Sequence, residues 1–81
     1  MSNLIIIFRY YGNRIAVESK SNEILSDVYK RFTSKLERNI EEFIFVHNTK
    51  VLPPCNKTLE DLNLKNFTSI DVAEVGLPQL A

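Results

Sequence analysis

His47 and Cys55 are the side chains best equipped for acid–base or nucleophilic work, and each is the only one of its type in the chain. One His and one Cys fall short of the four ligands of a structural zinc site. A nucleophilic thiol would also need a base, a group that orients it and an oxyanion site; after Pro53 and Pro54, Cys55 reads as a loop or edge residue. Lys30, Arg31, Lys35 and Arg38 could touch phosphate or an acidic partner. At the C-terminal end of a helix, however, they read as a solvated face that complements the helix dipole. Asn56 and Asn66 open Asn-X-Thr triplets, which accept a glycan only in a secreted protein. The apolar run Leu4–Phe8 is too short, and too poor in preceding basic residues, for a signal peptide or a membrane span. The expectation is a chain that is not an enzyme and holds no metal or cofactor.

The composition agrees. The chain has 81 residues, ten Lys+Arg against ten Asp+Glu, and a formal net charge of zero. This is one domain with one core, too small for a two-lobed cleft. The balanced charge excludes a dedicated nucleic-acid binder, which needs clustered positive charge, and nothing points to a membrane. A single Cys excludes an internal disulfide framework and fits a reducing, intracellular setting, cytoplasm or nucleus.

Leu4–Phe8 is Ile-rich and β-branched, the composition of a strand, and Gly12-Asn13 marks a turn before the alternating Arg14–Glu18. Together they read as a β-hairpin. Leu25, Val28, Phe32 and Leu36 recur at helical spacing, so an amphipathic helix is expected over about 23–37, with Ser21 or Asn22 as its N-cap. Phe43–His47 is a third strand, and Val51-Leu52 a short returning one that Pro53-Pro54 ends. Thr58–Leu62 reads as a capped turn and Ser69–Val75 as the last strand. Core positions are expected at Ile5, Ile7, Ile15, Val17, Leu25, Val28, Phe32, Leu36, Phe43, Phe45, Leu62, Ile70 and Val72. In the all-apolar first strand, the opposite register would turn Leu4, Ile6 and Phe8 inward. The fold class is α+β: one helix covers one face of a mixed sheet of four to five strands and leaves the other face to solvent.

This order and its apolar positions resemble the ubiquitin-like β-grasp fold over about residues 4–75. Two stretches resemble SUMO more closely. Gly12–Phe32 aligns with SUMO without a gap, and Leu25-Ser26-Asp27-Val28-Tyr29-Lys30-Arg31-Phe32 follows its helix pattern. Thr58–Leu62 and Ser69-Ile70-Asp71-Val72 are similar to its later motifs, and Phe43-Ile44-Phe45 to the third strand. The resemblance implies residues 1–76 as the domain and 77–81 as a flexible tail. A conjugated modifier of this family ends in Gly-Gly, whereas Gly76 here stands alone, with Gln79-Leu80 near the glycine positions. The implied role is therefore a non-conjugated domain of a larger protein, monomeric when isolated, that binds a conjugating enzyme or motif-bearing peptides. The alternatives are a modifier processed from a longer precursor and a β-grasp dimerisation module.

Two surfaces follow from the resemblance. One is the solvent face of the sheet at Tyr10, Ile44, Asp71 and Ala73. The other is a groove between second strand and helix at Val17, Ser19, Lys20 and Lys30, where a peptide would add as an extra strand. The chain departs from SUMO in this groove, with Ser19 in place of an aliphatic residue and the acidic Glu18 and Asp27 in place of basic ones. It departs again at Lys65, Asn66 and Phe67, where SUMO is acidic.

Overall fold

Tyr11 and Gly12, with φ of 50° and 78°, form the two-residue turn of the first hairpin. Positive φ at both central positions is the turn geometry whose twist matches that of paired strands. Gly12 adopts it freely; Tyr11 adopts it against its side chain's preference. The computed structural model describes residues 3–75, so the expected tail, 77–81, lies outside the described residues. The elements are β1 (Asn3–Tyr10), β2 (Asn13–Lys20), α1 (Leu25–Lys35), a 3₁₀ turn (Ile40–Glu42), β3 (Phe43–His47), β4 (Lys50–Val51) and β5 (Thr68–Glu74). They form a five-stranded sheet in the order β2-β1-β5-β3-β4. β1 and β5 run parallel at its centre, and the other pairs are antiparallel.

The register of β1 is the alternative one. Leu4, Ile6 and Phe8 are buried, whereas Ile5 and Ile7 lie half-buried on the outer face. Five consecutive apolar residues carry no period, so only the pairing with β2 sets the face: Ile6 stands opposite Val17 and Phe8 opposite Ile15. The helix is shorter than expected. It starts at Leu25 behind Ile24, which forms a bridge with Thr58, and neither Ser21 nor Asn22 caps it. The Leu25 and Ser26 amides instead donate to the carbonyls of Lys57 and Cys55, so the 55–58 loop satisfies the first turn. At the other end, Arg38 N–H donates to Thr33 and Glu37 N–H to Ser34, with Glu37 at φ 56°. This is a Schellman stop, with Glu37 where Gly is preferred.

Leu25, Val28 and Phe32 point into the core as the spacing predicts, and so does Tyr29, whose hydroxyl donates to the Leu52 carbonyl at 2.7 Å. Leu59 and Leu64 are buried, while Leu62 only packs against the core's edge. Thr58 and Asp61 cap their turn reciprocally: the Asp61 amide donates to the Thr58 hydroxyl at 3.0 Å, and the Thr58 amide faces the Asp61 carboxylate. At the centre Phe8 stacks on Phe32 at 4.4 Å and Tyr29 on Phe45 at 3.8 Å.

Candidate interaction surfaces

The outer face follows from strand parity. Ile44 stands beside Ala73, and Val46 lies between Asp71 and Val51. All five residues point away from the helix, because their neighbours Phe43, Phe45 and Ile70 are buried on the other side. Ile44 and Val51 are 39% and 62% exposed. These residues give the β3–β5 half of the sheet an apolar strip. Next to it Arg9 and Asp71 form an exposed ion pair at 3.4 Å, the kind that contributes little stability. Val46 and Val51 were not among the expected site residues. The alternation of β3 would have indicated Val46, but Val51 becomes visible only through its pairing partner.

Tyr10 is not on this face. It shares the parity of Leu4, Ile6 and Phe8, and its ring meets Phe32 and Phe43 edge-on at 6.2 and 5.7 Å. The family resemblance puts it on the outer face, but the observed register of β1 turns it to the helix side. Its hydroxyl donates to Glu74 Oε2 at 2.7 Å, while Tyr11 donates to Oε1 at 3.1 Å. Arg38 reaches the same carboxylate at 3.1 Å, holds Glu42 at 2.7 Å and lies over the Phe43 ring at 5.1 Å. The hydrogen bonds from Tyr10, Tyr11 and Arg38 hold the Glu74 carboxyl below its ordinary range, and the bonds to this carboxylate raise both phenols. The Asn39 amide and Arg38 lower Glu42 in the same way. This cluster joins the hairpin tip, the segment after the helix and the end of β5.

The expected groove is divided differently. Val17 and Ser19 are buried, and the Ser19 hydroxyl lies 3.4 Å from the Val17 carbonyl as donor, so both belong to its floor. Lys20 is exposed on the rim. Lys30 lies outside the groove. It is one turn past Ser26, whose hydroxyl donates to Cys55, and so sits on the flank facing the 52–55 loop. Arg31 takes its place: one guanidinium nitrogen donates to the Glu18 carbonyl at 2.8 Å, and the other pairs with Glu23. The other Glu23 oxygen accepts from the Lys20 amide at 2.8 Å. Partial burial works to raise the Glu23 carboxyl, but its hydrogen bonds from Arg31 and Lys20 outweigh this and lower it. With Asn3, Ser19 and Lys20, these residues line a shallow depression of about 610 Å³. The sequence places Arg31 only at the helix's basic end; its reach across to β2 leaves no periodic signal.

Among the described residues, no three His, Cys, Asp or Glu side chains gather where they could hold a metal, and no helix is long and apolar enough to cross a membrane.

No family model and no curated protein matches the chain. Solved structures do. The ubiquitin-like domain of an Arabidopsis thaliana protein, solved by NMR, superposes with a TM-score of 0.83 at 12% identity, covering 100% of this chain and 86% of that one. A second NMR determination of that plant protein gives 0.81 at 13%, covering 96% and 93%. A de novo design based on ubiquitin gives 0.75 at 18%, covering 98% and 96%. With the central parallel pair, the single helix across one face and these superpositions, the chain has the ubiquitin-like β-grasp fold.

Proposed function

We propose that this chain is a non-conjugated ubiquitin-like interaction domain of an intracellular protein, without catalytic activity, that binds components of the ubiquitin/SUMO pathway non-covalently through the outer face of its sheet. The observation that carries this reading is the apolar strip Ile44, Val46, Val51 and Ala73, contiguous by register, with Ile44 and Val51 exposed. Apolar residues grouped on an otherwise polar surface mark partner sites more often than scattered ones do. The SUMO branch draws its support from the gapless match over Gly12–Phe32 and from Ser69-Ile70-Asp71-Val72. The outer face is favoured over the groove because Arg31 already occupies the Glu18 carbonyl to which an added strand would bond.

The test is an amide chemical-shift titration of labelled protein with a SUMO-conjugating enzyme and with ubiquitin-binding peptides. Binding should perturb Ile44, Val46, Val51 and Ala73, and Ile44→Glu should weaken it by about tenfold or more, the effect of a central apolar contact. No perturbation by any partner, or perturbation confined to the helix, would overturn the reading.

A further inference from the structure

β2 is an edge strand, and its backbone directions are fixed by the hairpin. Tyr10 and Asn13 close a two-residue turn and so form a hydrogen-bonded pair. Asn13, Ile15, Val17 and Ser19 therefore bond to β1, and Arg14, Ala16, Glu18 and Lys20 present their amides and carbonyls outward. Such a row is a template for another strand. Three of its groups are taken internally. Arg31 donates to the Glu18 carbonyl, Glu23 accepts from the Lys20 amide, and the Lys20 carbonyl accepts from the Glu23 amide at 2.9 Å. Glu18 C=O and Lys20 N–H are the two groups that one residue of a parallel neighbour would bridge. The Glu23–Arg31 pair meets both, the guanidinium standing in for the neighbour's N–H and the carboxylate for its C=O.

The rest of the row is complementary to itself. In an antiparallel β2–β2 pair centred on Ala16, Arg14 faces Glu18 of the second copy and Glu18 faces its Arg14. Arg14, Ala16 and Glu18 are all outward-directed, so each of these pairs exchanges both backbone hydrogen bonds, and two cross-strand ion pairs form on the outer face. The register requires the Glu18 carbonyl that Arg31 holds. We propose that the Glu23–Arg31 pair is an autoinhibitory plug on the edge of β2, and that removing it opens this edge to antiparallel pairing with a second copy of the chain.

Sedimentation velocity over rising concentration tests this on the whole chain. The wild type should stay monomeric, and Arg31→Met, which keeps the apolar stem and removes the donors, should dimerise at least about tenfold more tightly. An amide spectrum retaining the wild-type dispersion certifies the fold; if Arg31→Met loses it, Arg31→Gln with Glu23→Gln serves instead. Adding Glu18→Arg should abolish the dimer by placing like charges opposite each other, and adding Arg14→Glu to that variant should restore it. A monomeric plug-free variant would overturn the proposal and leave this edge to a foreign strand. A dimer indifferent to Glu18→Arg would also overturn it, because the contact would lie elsewhere.

Discussion

Glu37 shows how a single backbone angle enters the balance. The helix stops there in left-handed geometry, a conformation that costs an L-residue about 1–2 kcal/mol before local contacts offset it. Glu37→Gly should therefore stabilise the domain by about 0.5–1 kcal/mol, despite the freedom that glycine adds to the unfolded chain. A raised urea midpoint with unchanged slope is the expected reading; a lowered midpoint would mean that the Glu37 side chain makes a contact worth more than the angle. Phe32 lies at the opposite extreme, fully buried and stacked on Phe8. Phe32→Ala should cost about 3–5 kcal/mol, most of what a domain this small has in reserve. An almost unchanged thermal midpoint would refute its central place in the core.

At the scale of elements, the cluster of Tyr10, Tyr11, Arg38, Glu42 and Glu74 ties three segments together through charge. Both carboxyls are held below their ordinary value of 4.5. A carboxyl depressed by folding adds stability that is fully present above its unfolded pKa and is lost as pH falls through the folded one. Thermal midpoints should thus hold steady near neutrality and decline below about pH 4.5, and Glu74→Gln should lower the neutral midpoint and flatten that decline. An unaltered acid slope in Glu74→Gln would show that the cluster is solvated and weak. Such links were not legible in the sequence, because they join residues far apart in the chain. The helix face, the alternating strands β2 and β5 and the reciprocal Thr58–Asp61 cap were legible, since each is written in local spacing. β1 was not: its five apolar residues fit either face, and the same parity decides that Tyr10, matched by resemblance to the outer face, lies on the helix side. Tyr29 is absent from the expected core, because it lies outside the Leu25-Val28-Phe32-Leu36 spacing; its hydroxyl is satisfied within the fold by the Leu52 carbonyl.

For the molecule as a whole, the one-layer cover of a sheet by a helix leaves a large face open, and that much was legible in the order of elements. Which residues line the open face was legible only in part. Ile44, Asp71 and Ala73 followed from alternation, but the strip's extension to Val51 depends on a two-stranded pairing that brief strand signals do not specify. The groove was the least legible feature, because a long arginine side chain can cap a neighbouring strand without any regular spacing to announce it.

The parallel pairing of β1 with β5 sets the order in which the fold can be completed. Within the domain β1 is the first strand to be synthesised, yet it lies between two neighbours, and one of them, β5 (residues 68–74), is the last of the sheet's strands to follow. Until it arrives, one flank of Ile6 and Phe8 is unsealed and closure must span most of the chain, an entropic delay that grows with loop length. During synthesis the nascent domain thus waits with its central slot vacant, and the seven residues of β5 act as the keystone that commits the whole sheet at once.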